Sequence, residues 1–205
     1  MLTGTGDLYY TIEKPSMAEF KDRGSRFIAY AYPIMTPEDF KVRLQALKKE
    51  HPKAAHHCFA YKIGLDGLQF RASDDGEPSG SAGRPILGQL ESKELTNTAV
   101  IVVRYFGGTL LGVPGLINAY KTATALSLQL IPIVTKPVEV LYELHFDYTL
   151  VNEVMTVVRQ HQCRVQEQEL QLFSRMVLGI PKNRLEETLY KLGQIYGVEV
   201  AAVAR

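Results

Sequence analysis

Runs of β-branched and aromatic residues predict three strands in the first two thirds of the chain, at residues 26–33, 56–64 and 98–104. The third run is apolar almost throughout, which is typical of a strand that is buried on both faces. An Asp66-Gly67 pair after the second run predicts a hairpin turn into another strand at residues 68–72.

Three helices are predicted in the same part of the chain. The first begins after Thr36, a residue type that caps helices, with proline at the first helical position, and it ends at His51-Pro52. A short helix follows the polar stretch 73–83, and a longer one is predicted over residues 115–130. The apolar stripe of the first helix consists of Phe40, Leu44 and Leu47.

The remaining residues predict the order βαββαβ. Strand patterns occur at residues 138–146, 163–172, 173–180 and 198–203. One helix is expected after the caps Asp147 and Thr149, and a second after a capping box formed by Asn183 and Glu186, with Gly197 at its C-terminal end. This order predicts a ferredoxin-like domain, with a four-stranded antiparallel sheet and two helices on one face. The predicted fold class is therefore α+β.

The segment 131–137 contains two prolines and is the predicted linker, so we expect domains at residues 1–137 and 138–205. Residues 1–137 contain 16 basic and 13 acidic side chains, whereas residues 138–205 contain 7 and 9. With a net charge of +1 for the whole chain, any affinity for nucleic acid must come from a local patch. The first domain is the better place for such a patch.

Composition favours a globular protein of the cytoplasm. The chain has 205 residues, of which 46% are hydrophobic and 22% charged. Its two cysteines, Cys58 and Cys163, are far apart in the sequence, which fits a reducing compartment. There is no signal-peptide pattern at the start, and no apolar run reaches the roughly 18 residues of a membrane span. We therefore expect a cytoplasmic location and no membrane partner.

The polar stretch 73–85 is the first candidate for chemistry. It places three carboxylates, three hydroxyls and three glycines directly before a helix. Unpaired N–H groups at a helix N-terminus attract anions, so the stretch could hold a phosphate or carboxylate. The alternative is an ordered loop whose side chains cap its own backbone. The candidate residues are Asp74, Asp75, Glu77, Ser79, Gly80, Ser81, Gly83 and Arg84.

The second candidate is the glycine-rich stretch 104–116, which joins the third strand to the long helix. Side chains at the end of a buried strand lie at the rim of the sheet, where ligands commonly bind. Structural packing is again the alternative, because glycines also allow close contact between backbones. The candidates are Arg104, Tyr105, Phe106, Gly107 and Gly108, with Lys121 in the following helix.

Other reactive groups support no specific assignment. In His56-His57-Cys58, neighbouring residues of a strand point to opposite faces, so only His56 and Cys58 could converge, and a closed zinc site needs four ligands. The sequence therefore predicts no metal site and no bound cofactor. The sequence identifies no catalytic residue. An enzymatic activity is not excluded, but it is not favoured.

Several ordered blocks between residues 24 and 125 are similar to the IMPACT/YigZ family. They are the segments 25–30 (SRFIAY), 51–58 (HPKAAHHC), 73–87 (SDDGEPSGSAGRPIL), 104–108 (RYFGG) and 111–112 (LG). The βαββαβ part resembles the C-terminal domain of bacterial members, so the likeness accounts for nearly the whole chain.

The resemblance implies a first domain with the fold shared by a ribosomal protein domain and domain four of elongation factor G. It also implies a role in translational control, with RNA, the ribosome or a protein as the partner. The chain departs from the family pattern at Pro114, Asn118 and Lys121, which replace a glycine, an arginine and a glycine. The loss of the arginine weakens an inherited anion site, although Lys121 can compensate one helical turn along.

Three functions remain open on this sequence. The first is a translation-linked protein that binds RNA, the ribosome or a translation factor through its first domain. The second is a protein-docking module that uses the exposed sheet face of the C-terminal domain and does not bind nucleic acid. The third is a Mg²⁺-dependent enzyme acting on a phosphorylated small molecule, with the carboxylates of residues 74–77 holding the metal.

Overall fold

The structure is a computed structural model that describes residues 6–65 and 69–203. The chain divides into two compact units. The first unit is Tyr9–Lys136, and the second combines the described residues before Tyr9 with those from Pro137 onwards. The domain limits 1–137 and 138–205 stay a prediction, and the Asp66-Gly67 turn lies outside the described residues.

An antiparallel five-stranded sheet forms the centre of the first unit, in the order β2-β3-β6-β4-β5. Strands β1 and β7 form a separate two-stranded sheet. The elements are β1 (Leu8–Thr11), β2 (Ser16–Asp22), β3 (Ser25–Pro33), α1 (Pro37–Glu50), β4 (His56–Ile63), β5 (Gln69–Ser73), α2 (Gly83–Ser92), β6 (Thr98–Tyr105), α3 (Gly112–Gln129) and β7 (Val134–Pro137).

Helices cover both faces of this sheet. On one face, Phe40 and Leu47 of α1 pack with Phe59 and Ile101 of the strands, and α2 and α3 pack on the other face. Residues 98–104 of β6 are buried throughout, as their apolar pattern predicts, because the strand lies in the middle of a three-layer arrangement. Burying its side chains on both faces is a major source of stability for this unit.

The second unit has a four-stranded antiparallel sheet in the order β11-β8-β10-β9. Side chains on one face of β8 and β10 pack with both helices in a single core. The α+β class with antiparallel sheets confirms the predicted fold class. The elements are β8 (Glu139–Asp147), α4 (Val151–Gln160), β9 (Arg164–Glu169), β10 (Phe173–Pro181), α5 (Leu185–Gly193) and β11 (Glu199–Ala202).

Two local predictions are wrong, and strand β7 lies within the segment predicted as a linker. Helix α3 begins at Gly112 instead of Gly115, because Pro114 is tolerated in a first turn whose N–H groups have no helical partner. The capping box at Asn183 is absent, since Arg184 is the N-cap of α5 and makes no side-chain cap bond. None of the helices in the described part of the chain is long and apolar enough to cross a membrane.

Candidate functional site

Asp74 caps helix α2 from outside the helix. Its carboxylate accepts hydrogen bonds from the backbone N–H groups of Gly80, Ala82 and Gly83, at 2.8, 3.0 and 2.8 Å. Burial raises the pKa of Asp74, but these three N–H donors outweigh it and leave the pKa below its usual value. Three N–H groups at this end of the helix are therefore bonded to a carboxylate of the chain itself and are not free for an external anion.

Glu77 and Arg104 form a buried ion pair. The Nη1 of Arg104 donates to the Oε1 of Glu77 at 2.6 Å, and the two side chains are only 6% and 3% exposed. The guanidinium lies over the rings of Phe27 and Phe106, at 5.4 and 5.6 Å from their centroids. This pair brings the two glycine-containing stretches together, because Glu77 belongs to the stretch 73–85 and Arg104 is the first residue of the stretch 104–116.

A buried polar network extends from this pair. The Tyr120 hydroxyl of α3 donates to Glu77 at 2.7 Å. The Cys58 thiol lies 3.2 Å from that hydroxyl and donates to the carbonyl of Asp74 at 2.9 Å. Burial raises the pKa of both Cys58 and Tyr120, so both groups are neutral at physiological pH. The network joins the loop to β4 and α3, and its thiol is held in an unreactive form.

Asp75 fixes the loop to strand β4. Its carboxylate accepts the backbone N–H of His57 at 2.7 Å, and its carbonyl lies 2.7 Å from the Nδ1 of His56. His56 and Cys58 share a face of β4, as predicted, and the Nε2 of His56 is 3.9 Å from Glu77. His57 points to the other face, where burial lowers its pKa, and its Nε2 has no hydrogen-bond partner among the residues that the structure describes.

The other candidates of the first stretch divide into packed and exposed residues. Ser81 is buried and donates to the Pro78 carbonyl at 2.6 Å. A Cβ on Gly83 would lie 2.7 Å from the backbone of Ser73, so this glycine permits close packing. Gly80 has a positive φ and open space beside it, whereas Ser79 and Arg84 are exposed.

The second stretch places its glycines against another part of the chain. A Cβ on Gly107 would lie 1.9 Å from the backbone of Gly24, so only glycine allows this contact. Gly108, with a positive φ, and Phe106 are exposed, as is Lys121 on α3. Phe106 is 51% exposed. The exposed groups of both stretches remain available to a ligand.

A cluster of aromatic residues beside this loop contains one sequence-based candidate, Tyr105, and three residues that the sequence did not single out, Tyr30, Tyr32 and His51. The two ring nitrogens of His51 lie 2.8 Å from the hydroxyls of Tyr30 and Tyr105. Tyr32 stacks on Tyr30, with 6.4 Å between the ring centroids and an interplanar angle of 3°. The spacing of Tyr30 and Tyr32 on a strand was a usable signal, because residues two apart share a face.

The described residues contain no group of three or more His, Cys, Asp or Glu side chains arranged to hold a metal ion. Asp74, Asp75 and Glu77 instead bond to α2, β4 and Arg104. The geometry thus builds a rigid loop joined to a buried ion pair, with aromatic, cationic and backbone groups exposed around it.

Residues 23–128 match the family model described as the Impact N-terminal domain, a range that includes both glycine-containing stretches and spans β3 to α3. The chain belongs to the IMPACT family. This confirms the resemblance based on the sequence blocks.

Members of the IMPACT family are similar to this chain over most of its length. An IMPACT family member of Haemophilus influenzae is 36% identical over 180 residues, which is 86% of this chain and 87% of that protein. The IMPACT family member YigZ of Escherichia coli is 32% identical, covering 82% of this chain and 83% of that protein.

A crystal structure described as that of a hypothetical protein is also similar, with 28% sequence identity. The likeness covers 97% of this chain and 98% of the other, with a TM-score of 0.75. The fold is therefore shared over nearly the whole length of both chains.

Proposed function

We propose that this protein acts in translational control and binds RNA or the ribosome through its first unit. Membership of the IMPACT family supports the link to translation, and such a role fits the predicted cytoplasmic location. The observation that carries the binding proposal is the exposed Phe106 ring at the end of a buried strand.

The surroundings of Phe106 suit a nucleic-acid base. One face of the ring lies against the Arg104 guanidinium at 5.6 Å, so the side chain has a fixed support. The next two residues are exposed glycines, which let a ligand approach the backbone. Aromatic side chains presented in this way stack on unpaired bases.

The anion-binding part of the proposal rests on the exposed residues only. Asp74 and Glu77 are engaged within the protein, and the charge of Arg104 is balanced by Glu77. These residues shape the site, while Arg84 and Lys121 are exposed cations that can contact phosphates. The Mg²⁺-dependent enzyme is not favoured, because the carboxylates it needs are bonded to α2, β4 and Arg104.

Fluorescence anisotropy with a labelled single-stranded RNA tests the proposal on the full chain. We expect Phe106→Ala to weaken binding about 10-fold, since base stacking contributes about 1–3 kcal/mol. Phe70→Ala is the matched control, because Phe70 is similarly exposed at 56% but lies on β5. Replacing both Arg84 and Lys121 with Gln should lower the salt slope by about 0.7 for each lost phosphate contact.

Two results would contradict this function. One is the absence of RNA binding at low salt. The other is an equal effect of Phe106→Ala and Phe70→Ala, which would mean that the exposed ring beside the glycines has no special role.

One observation favours an alternative function, in which the second unit binds a protein partner. We propose that its βαββαβ unit is ferredoxin-like and that its open sheet face binds protein. Arg175 bridges Glu143 and Glu167 across this face, at 2.7 and 3.0 Å, and His145 pairs with Glu143. The two carboxylates around Arg175 outnumber its single positive charge, which disfavours phosphates at this place. A partner that survives nuclease treatment and is lost with Arg175→Glu would favour this function.

A further inference from the structure

Helix α1 leaves part of its face of the first sheet uncovered. The helix packs against β4 and β6, whereas β2 and β3 lie on the other side of β6. Met17 of β2 is paired with Tyr30 of β3, so the two share this face, and Arg26 lies four residues before Tyr30 on the same strand. Met17 and Arg26 are both exposed. Ile28, between Arg26 and Tyr30 on this strand, is buried, so the open surface consists of the exposed side chains around it.

Three tyrosines line the open surface. Tyr30 and Tyr32 stack on each other, and Tyr105 lies opposite Arg26 in the pairing of β3 with β6. All three side chains are partly exposed. Burial raises the pKa of Tyr30 to about 12, so its hydroxyl stays neutral under physiological conditions.

Arginines lie at both ends of the row of rings. The guanidinium of Arg43, from α1, is 5.2 Å from the centroid of Tyr32, and that of Arg26 is 5.6 Å from the centroid of Tyr105. Lys21 is also near, because it shares the carboxylate of Glu19 with Arg26. One carboxylate thus faces two cations at this end, which leaves a positive charge in excess.

His51 holds the row in place. Its ring is largely buried and lies between the hydroxyls of Tyr30 and Tyr105. Rings fixed by such contacts lose little side-chain entropy when a ligand stacks on them. The distance from Arg26 to Tyr32 along β3 is about 20 Å, from six residues at ~3.3 Å each, which is long enough for several nucleotides.

We propose that single-stranded RNA binds along this aromatic strip, formed by Arg43, Tyr32, Tyr30, Tyr105 and Arg26. A row of rings with a guanidinium group at each end suits unpaired bases and their phosphates, since every base offers a face for stacking. Duplex RNA cannot offer its bases in this way. The inference rests on the proposed function and adds to it a second RNA contact surface, on the face of the sheet opposite the Arg104 side chain.

Binding of a labelled single-stranded RNA and of its duplex to the full chain tests the strip. We expect Tyr32→Leu combined with Arg43→Gln to weaken single-strand binding at least 10-fold. The matched control is Phe70→Leu with Arg71→Gln, which also removes one exposed ring and one arginine that lies over an aromatic ring, Phe59. The control should change affinity less than 2-fold.

Two further variants keep the test valid if the variant with Tyr32→Leu and Arg43→Gln is unstable. Tyr32→Phe retains the ring and should bind like the wild type. Arg26→Gln with Arg43→Gln removes only exposed guanidinium groups, and we expect at least a 5-fold loss. Circular dichroism checks that each variant is folded.

The outcomes separate this inference from the function on which it rests. If the wild type binds no RNA, both fail. If Phe106→Ala weakens binding while the strip variants do not, the strip is refuted and the proposed function stands. Duplex binding as tight as single-strand binding would also overturn the inference. So would a strip variant that abolishes self-association of the chain without affecting RNA, because the occupant would then be a second copy.

Discussion

Replacing Glu77 with glutamine should destabilise the first unit by about 3–5 kcal/mol, which is the usual cost of leaving one member of a buried ion pair unpaired. The side chains of Arg104 and Glu77 are 6% and 3% exposed and their charged atoms are 2.6 Å apart. Glutamine preserves the length of the side chain, so the cost is electrostatic and does not arise from a cavity.

Two comparisons isolate this effect. The pair of Glu38 and Lys41 has a separation of 3.2 Å but is exposed, so Glu38→Gln should cost less than about 0.5 kcal/mol. Combining Glu77→Leu with Arg104→Met removes both buried charges and should recover about 2 kcal/mol of the loss. We expect about 1–3 kcal/mol to remain, because the Tyr120 hydroxyl loses its acceptor.

Urea unfolding followed by circular dichroism and tyrosine fluorescence measures these differences, since the chain has 11 tyrosines and no tryptophan. Amide exchange in β6 assigns the loss to the first unit. The reasoning is refuted if Glu77→Gln costs no more than Glu38→Gln, or if the double variant is no more stable than the single one.

Three further predictions concern the same unit. Asp74→Asn should lower the free energy of unfolding by about 1–2 kcal/mol. Because folding lowers the pKa of Asp74, the carboxylate stabilises the unit above about pH 4 and loses this effect as the pH falls through the folded-state pKa. Urea unfolding should therefore show that the difference in stability between the variant and the wild type becomes smaller in acid. Gly107→Ala should prevent stable folding by clashing with Gly24, whereas Gly88→Ala, in open space on α2, should raise stability by up to about 1 kcal/mol; thermal melts compare the two. Cys58 should not react with a thiol reagent until the chain unfolds, since it is fully buried and its pKa is raised.

Hydrophobic patterning predicts much of the fold. The buried strand β6 and the capped start of α1 follow from local sequence, because burial on both faces and capping each produce a recognisable pattern. Strand β2 has alternating partly buried and exposed residues and lies at a sheet edge. Its apolar pattern is too weak to predict a strand. Strand β7 is not predicted either, because the two prolines of the segment 131–137 favour a linker over a strand.

The candidate site was less predictable because its bonds connect distant residues. Asp74 caps a helix that begins nine residues later, through a loop whose course no local rule specifies. Arg104 was a candidate cation, but its partner Glu77 lies 27 positions earlier in the chain. His51 was assigned only to the end of a helix, although it also links Tyr30 to Tyr105 across the sheet.

The position of β6 has a consequence for how the protein forms during synthesis. It lies between β3 and β4 but follows both in the chain. Until Tyr105 has emerged, both strands have an unpaired inner edge, and such edges promote aggregation. Insertion of the last central strand then joins the two halves at once, so we expect late and cooperative folding and an insoluble product from chains truncated before this strand.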